Sequence, residues 1–201
     1  MSTKQKSHPW KHFKTITHHK LLVMGGCFRV GLIRQGLAHD LSKYSLTEFL
    51  PGARYYQGFR SPNGAEREAN GYSLAWMHHK GRNKHHYEYW TDIDPATGEY
   101  RPVPMPRRYL AEMVMDRIAA SKNYLGKAYH DGAPLEYLER ARETKHLHPQ
   151  TLRELTFLLT MLRDRGEKET FRFIRQVVLK GAPFAQEKTV KSQEAANPNK
   201  N

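Results

Sequence analysis

The sequence His39-Asp40-Leu41-Ser42-Lys43-Tyr44 places a histidine and an aspartate side by side, with a lysine three residues after the aspartate. Pairs of adjacent histidines lie upstream of it at 18–19 and downstream at 78–79 and 85–86. Imidazole and carboxylate groups together suit divalent transition ions. We therefore expect helices to bring these groups together around one or two metal ions.

The size and cysteine content of the chain limit the class of protein. At 201 residues it is long enough for one domain with a buried core. The single cysteine, Cys27, cannot form an internal disulfide, which is typical of a reducing cytoplasm and excludes a cysteine-rich zinc site. The longest apolar-looking stretch, 21–28, is far shorter than the roughly 20 residues that span a bilayer. We expect a soluble cytoplasmic protein without a membrane segment.

The net charge is strongly positive. Lys and Arg number 33 against 20 Asp and Glu, which gives a formal charge of +13. Such an excess favours partners that contain phosphate groups, but it does not distinguish a nucleotide from a nucleic acid. Many solvated basic surfaces bind no specific partner, so this alternative stays open.

The periodicity of apolar residues predicts an all-α fold. From Phe13 onwards, one helical face contains Ile16, His19, Val23, Cys27 and Val30. A second helix is predicted over 32–44, with His39-Asp40 near its end. Further helices are predicted from 46, within a turn-rich segment at 57–73, and over 73–79, 107–124, 134–145, 149–165 and 168–180, with a loop at 91–106.

These elements predict one helical bundle. Residues 1–11 form a polar lead-in, 12–182 the domain, and 183–201 a disordered basic tail. Within the domain, the metal-binding core spans about 12–126 and the C-terminal helices about 134–180. A stripe of leucines at 155, 158, 159 and 162 is suited to core packing or to a homodimer contact.

Asp116 is a single aspartate in a helical segment, 110–120, that is mostly apolar. A carboxylate buried there without a counter-charge would be costly. A metal ion would supply that charge. An ion pair with Arg117 or another basic residue is the alternative.

The order His19, His39-Asp40, Asp116 on a helical background resembles the HD-domain metal-dependent phosphohydrolases. The segment 39–43 is similar to their His-Asp-x-Gly-Lys signature, with Ser42 in place of the glycine. The histidines between the second and third elements resemble those of the binuclear members. The segments 36–44 and 78–90 also resemble the uncharacterised family DUF5662, over about 12–126 of the chain.

The resemblance implies a set of metal ligands. His19, His39, Asp40 and Asp116 would hold one ion. His79 and His85, with His86 as a further candidate ligand, would hold a second ion that shares Asp40. Which histidine of each pair faces inward stays open, and a basic surface patch is the alternative for all four. The expected ions are Mn, Fe, Co, Ni, Zn or Mg.

The implied activity is hydrolysis of a phosphomonoester or phosphodiester by metal-activated water. The substrate would be a nucleotide or another small phosphorylated compound, contacted by Lys43, Arg82 and Lys84. Glu48 would act as a general base or would orient a ligand, unless it only caps the helix that follows Ser45. We retain two alternatives, an HD-fold di-iron oxygenase and a non-enzymatic module that binds nucleic acid.

Overall fold

The computed structural model describes residues 6–141 and 146–183 of the chain. Its helices are α1 (Pro9–Val30), α2 (Ile33–Ala38), α3 (Leu46–Arg54), α4 (Pro62–Asn70), α5 (Leu74–Lys80), α6 (Arg107–Leu125), α7 (Ala133–Arg140) and α8 (Pro149–Phe173). Short 3-10 turns lie at Leu41–Tyr44, Tyr87–Tyr89 and Gly126–Ala128, and α8 continues as a π-helical turn at Ile174–Val178. The predicted all-α class is confirmed.

Several boundaries differ from those predicted. Helix α1 begins at Pro9 rather than Phe13, because proline is well suited to the first helical turn. The predicted helix over 32–44 ends at Ala38, since His39 and Asp40 leave the helical conformation. Gly166, with φ 73° and ψ 175°, divides α8 where a helix end was expected. The predicted disordered tail, apart from residue 183, and the predicted helix end at 142–145 lie outside the described residues.

The segment predicted as a loop at 91–106 contains a small antiparallel hairpin. Strand β1 (Thr91–Ile93) pairs with β2 (Tyr100–Pro102), with Asp92 opposite Arg101. Both strands lie at the surface, so the alternation of buried and exposed residues that would have predicted them is absent.

The core is formed where α1, α6 and α8 pack together. The leucine stripe of α8 is completely buried in it, so those side chains fill the core of their own chain. Helix α6 approaches α1 closely at Gly26, where a Cβ atom would lie 2.8 Å from the Met115 sulfur. This approach brings the buried face of α1 against the start and middle of α6, which positions the site described next.

Within the described residues, no helix combines the length and the apolar character needed to cross a membrane.

Candidate metal centre

The buried faces of α1 and α6 bring His19 and Asp116 into contact. The two residues are 97 positions apart in the chain, yet His19 Nε2 lies 2.9 Å from Asp116 Oδ1. His39 Nε2 lies 3.5 Å from the same oxygen. The carboxylate in the apolar segment of α6 is therefore surrounded by imidazole groups.

The chain leaves helix α2 at His39 and adopts a left-handed conformation at Asp40. His39 has φ −51° and ψ 127°, and Asp40 has φ 55° and ψ 22°. In the described residues Asp40 is the only non-glycine residue with positive φ. That conformation costs about 1–2 kcal/mol for a residue with a side chain. It allows two adjacent side chains, which would diverge by about 100° on a helix, to approach each other, with His39 Nε2 3.3 Å from Asp40 Oδ2.

One group of potential ligands forms around Asp40 Oδ2. His39 Nε2 and His19 Nε2 lie 3.3 Å and 3.6 Å from this oxygen, and Asp116 Oδ1 completes the group. Atoms that each lie about 2.0–2.2 Å from one ion are about 2.8–3.6 Å apart in tetrahedral or octahedral geometry. The observed spacings therefore fit a divalent ion. The four residues are those that the sequence predicted for the first metal.

A second group forms around the other oxygen of the same carboxylate. His79 Nε2 and His85 Nε2 lie 3.3 Å and 3.5 Å from Asp40 Oδ1. His86 Nε2 lies 2.9 Å from His79 Nε2 and completes the group. Helix α5 ends before Gly81, so 79 and 86 meet through the turns that follow it rather than along a continuous helix. At 85–86 both histidines belong to the group, and both were named as candidate ligands from the sequence.

Four buried polar atoms at this place have no hydrogen-bond partner. They are His39 Nε2, His85 Nε2 and both side-chain oxygens of Asp40. Lys43 places its ammonium 2.5 Å from Asp40 Oδ2, but without hydrogen-bonding geometry. Unsatisfied buried polar atoms are rare and costly. Their convergence on two neighbouring points is the arrangement that a pair of bound cations would satisfy.

The charges of the cluster are strongly coupled. Burial alone would raise the pKa of Asp40, but His39 and Lys43 hold that pKa well below its usual range. Burial opposes the charged form of His39 as well, yet Asp40, Asp116 and Glu112 hold its pKa well above the usual value. Without an ion, protonated imidazole therefore supplies positive charge here. A metal ion would have to displace such protons, so its binding is coupled to their release.

Glu112 was not predicted as a site residue, although it lies one helical turn before Asp116 on α6. It is buried, and one of its oxygens accepts from Nδ1 of His39 at 3.0 Å and lies 3.3 Å from Nδ1 of His85. Gln35 donates to its other oxygen at 2.6 Å. His39, His85 and Glu112 thus form a third cluster of potential ligand atoms. Donation from the two Nδ1–H groups to the Glu112 carboxylate explains these short distances without an ion. Glu112 thus leaves Nε2 of both rings free to face Asp40.

Glu48 plays the same part for His79. Its two carboxylate oxygens accept from Nδ1 of His79 at 2.7 Å and Nδ1 of His78 at 2.6 Å. The Ser45 side chain forms no capping bond to α3, and the Ser45 backbone amide donates to the Ser42 carbonyl at 2.9 Å. The contacts of Glu48 with two imidazoles favour the ligand-orienting role over that of a helix cap. His78 also contacts Glu48, but it belongs to neither ligand group.

The model of DUF5662, described as a family of unknown function, matches residues 8–161, a range that contains both ligand groups. This chain belongs to the DUF5662 family. No curated protein and no solved structure matches the DUF5662 chain.

The three basic residues predicted to bind substrate lie in different surroundings in this DUF5662 protein. Lys43 contacts the shared carboxylate of Asp40. Burial alone would lower the pKa of Lys43, but the negative charges of Asp40 and Asp116 raise it. Arg82 donates to the backbone oxygen of His78 at 3.4 Å, and the Lys84 ammonium lies 5.4 Å from the ring centre of Tyr89. In the described contacts, neither Arg82 nor Lys84 meets a ligand group, so their role stays a prediction.

Proposed function

We propose that this DUF5662 chain is a metal-dependent phosphohydrolase of the HD type that acts on a nucleotide or another small phosphorylated compound. The observation that supports this most directly is the division of one carboxylate between two donor groups. Asp40 Oδ2 lies 3.3 Å from His39 Nε2, and Asp40 Oδ1 lies 3.3 Å from His79 Nε2. The order of the ligands along a helical chain also supports the HD type.

Two sets of residues would hold the ions. One is His19, His39 and Asp116, the other is His79, His85 and His86, and Asp40 serves both. Five imidazole nitrogens favour Mn, Fe, Co, Ni or Zn over Mg. When bound, two such ions polarise a phosphoryl oxygen and lower the pKa of a water molecule.

Lys43 is the residue best placed to contact the phosphate. Its ammonium lies beside the shared carboxylate, and its side chain is 28% exposed, so it connects the cluster with the solvent. A fixed positive charge at this position would bind the anionic substrate and stabilise charge that develops on the phosphoryl oxygens.

The buried carboxylates of Glu48 and Glu112 would set the protonation of the ligands. Each accepts from a histidine Nδ1–H and so leaves the Nε2 lone pair available. Glu48 also lines a cleft beside the cluster. Its contact with two imidazoles favours the orienting role over that of general base.

Elemental analysis of the purified wild-type chain and of Asp40→Ala, after loading with each candidate ion, tests the proposal. Asp164→Ala is the matched control, because Asp164 is exposed and pairs with Arg163 at the surface. We expect stoichiometric metal in wild type and control but not in Asp40→Ala. A panel of phosphomonoesters, phosphodiesters and nucleotides should then show hydrolysis with the same dependence on Asp40. A wild-type protein without stoichiometric metal under replete conditions would contradict the proposal.

The nitrogen-rich donor set also supports a second candidate, a di-iron oxygenase. Imidazole and carboxylate together are suitable ligands for iron. Anaerobic purification that yields two irons with a mixed-valent signal, together with no hydrolysis of any phosphoester, would favour this candidate. Salt-dependent binding of DNA or RNA that persists in Asp40→Ala would instead favour the nucleic-acid-binding alternative.

A further inference from the structure

The turn that holds two of the ligands follows a helix that is too short to be stable alone. Helix α2 contains only six residues, Ile33–Ala38, whereas isolated helices need about 12–15 residues to be even marginally stable. Its place therefore depends on contacts with neighbouring helices. Gly36 packs against α1, where a Cβ atom would lie 2.9 Å from the Cys27 Cβ, and Gln35 bonds to α6. These contacts act on the middle of α2, whereas the two ligands follow its C-terminal end.

Lys20 of α1 contacts this C-terminal end. Its ammonium donates to the carbonyl oxygen of Leu37 at 2.7 Å and to that of His39 at 2.8 Å. The last carbonyl groups of a helix have no partner within the helix, and a lysine side chain can satisfy them. One acceptor belongs to the last turn of α2, and the other belongs to the residue that leaves the helical conformation. A single side chain therefore holds the backbone on both sides of the helix end.

The position of Lys20 in the chain connects these two bonds with the ligand groups. Lys20 directly follows His19, a ligand of the first group on the buried face of α1. Asp40, with its left-handed φ of 55°, directly follows the second acceptor, His39. Strained backbone conformations persist only where the surrounding structure imposes them. The bonds of Lys20 tie the strained turn to the helix that supplies His19.

We infer that Lys20 is a positioning residue of the metal centre, which holds the turn at His39 and Asp40 in the conformation that both ligand groups need. The inference rests on the proposed function, because it concerns the affinity of the centre for metal. Lys20 acts through the backbone, whereas the ammonium of Lys43 contacts the Asp40 carboxylate itself.

Removal of the Lys20 ammonium has two effects of opposite sign on metal binding. Burial lowers the pKa of Lys20 and the charge of Asp40 raises it, so the two side chains also interact electrostatically. Loss of this positive charge would by itself strengthen the attraction of Asp40 for a cation. Loss of the two hydrogen bonds would release the turn and weaken binding, since partners that orient metal ligands typically contribute about 10–100-fold to affinity. The sign of the change therefore distinguishes a positioning role from a purely electrostatic one.

Titration of Lys20→Met with Zn²⁺ against a chromophoric chelator tests the inference. Methionine keeps an unbranched apolar side chain but has no donor. We expect the affinity for Zn²⁺ to fall about tenfold or more relative to wild type. Unchanged or tighter binding of Zn²⁺ by the folded variant would overturn the inference. If Lys20→Met does not fold, Lys20→Ala provides the same comparison, because alanine favours a helix most and also removes both bonds.

Arg29→Met is the matched control. Arg29 is also a basic residue of α1 that bonds to another helix, but its partner is Glu167 of α8, at 2.9 Å and outside both ligand groups. This variant should bind Zn²⁺ like wild type even if its free energy of unfolding falls. An equal loss of affinity in both variants would show a general effect of α1 stability and would overturn the inference.

Hydrogen exchange of the metal-free protein measures the turn itself. The Lys43 amide donates to the Asp40 carbonyl at 3.0 Å within the turn. We expect exchange over residues 40–45 to be about tenfold faster or more in Lys20→Met, because two bonds from a charged donor are lost, and to be unchanged in Arg29→Met. Wild-type exchange in Lys20→Met would overturn the inference.

These measurements separate the inference from the proposed function. If wild type binds Zn²⁺ but hydrolyses no phosphoester, weaker binding and faster exchange in Lys20→Met leave the inference standing while the proposed function fails. If wild type hydrolyses phosphoesters and Lys20→Met binds Zn²⁺ like wild type, the inference fails and the proposed function stands.

Discussion

Replacement of Glu112 by glutamine should weaken the binding of both metal ions at once. The carboxylate accepts from Nδ1 of His39, a ligand of the first group, and contacts Nδ1 of His85, a ligand of the second. Glutamine has nearly the same shape and can still accept from both rings through its amide oxygen. What it removes is the negative charge that orients the rings and makes their Nε2 atoms better donors to a metal.

The expected loss can be worked out from these contacts. A hydrogen bond to a charged group contributes about 1.5–3 kcal/mol and a neutral one about 0.5–1.5 kcal/mol, so each ring loses about 1–1.5 kcal/mol. That difference corresponds to about a tenfold weaker affinity for each ion. The amide nitrogen would also face Gln35 Nε2, now 2.6 Å from the carboxylate. Gln35 would then have to rotate and lose its bond to the Arg108 carbonyl.

Titration of the metal-free protein against a chromophoric chelator measures both affinities. Glu154→Gln is the matched control, because Glu154 is also buried but pairs with Arg107 and belongs to neither ligand group. It should bind both ions like the wild type even if its free energy of unfolding falls. Wild-type affinity in a folded Glu112→Gln protein would refute the orienting role of Glu112, and loss of one ion alone would refute the link between the two groups.

Three further predictions concern individual residues. Without metal, Asp40→Gly should have a free energy of unfolding about 0.5–1 kcal/mol higher than Asp40→Ala in urea denaturation, because only glycine adopts φ 55° without strain; equal values would contradict this. Lys43→Met should bind metal at least as tightly as wild type in chelator titrations, since a competing cation 2.5 Å from Asp40 is gone, while phosphoester hydrolysis slows about tenfold or more; weaker metal binding would contradict this. Between pH 7 and pH 5 the stability of wild type relative to His12→Leu should fall by about 1–2 kcal/mol in urea denaturation, because the unfolded chain takes up a proton near pH 6.5 that folded His12 resists until about pH 4; a difference that does not change with pH would contradict it.

The regular helices and the residues on their faces could be predicted from the sequence. The period of α1 placed His19 on the buried face, and the single aspartate in the mostly apolar segment 110–120 indicated Asp116, because apolar spacing determines which helical face enters the core. The structure brings both together with His39 and Asp40. Their role as metal ligands stays a prediction.

The features that depend on tertiary contacts could not be predicted. The left-handed backbone at Asp40 has no local signal, because a residue with a side chain adopts it only when the surrounding packing demands it. The choice of His79 over His78 depends on which of the two rings faces Asp40, a residue 39 positions away in the chain. Glu112 had one signal, its position four residues before Asp116, since that spacing places two side chains on one face of a helix.

The ligands come from separate parts of the chain, between His19 on α1 and Asp116 on α6. An unfolded chain does not hold them together, so an ion would bind almost only to the folded state. By mass action, free metal at about 100 times its dissociation constant would add about 2.7 kcal/mol to the free energy of unfolding. The supply of metal in the cell would then govern how much of this protein survives proteolysis, as well as how much of it is active.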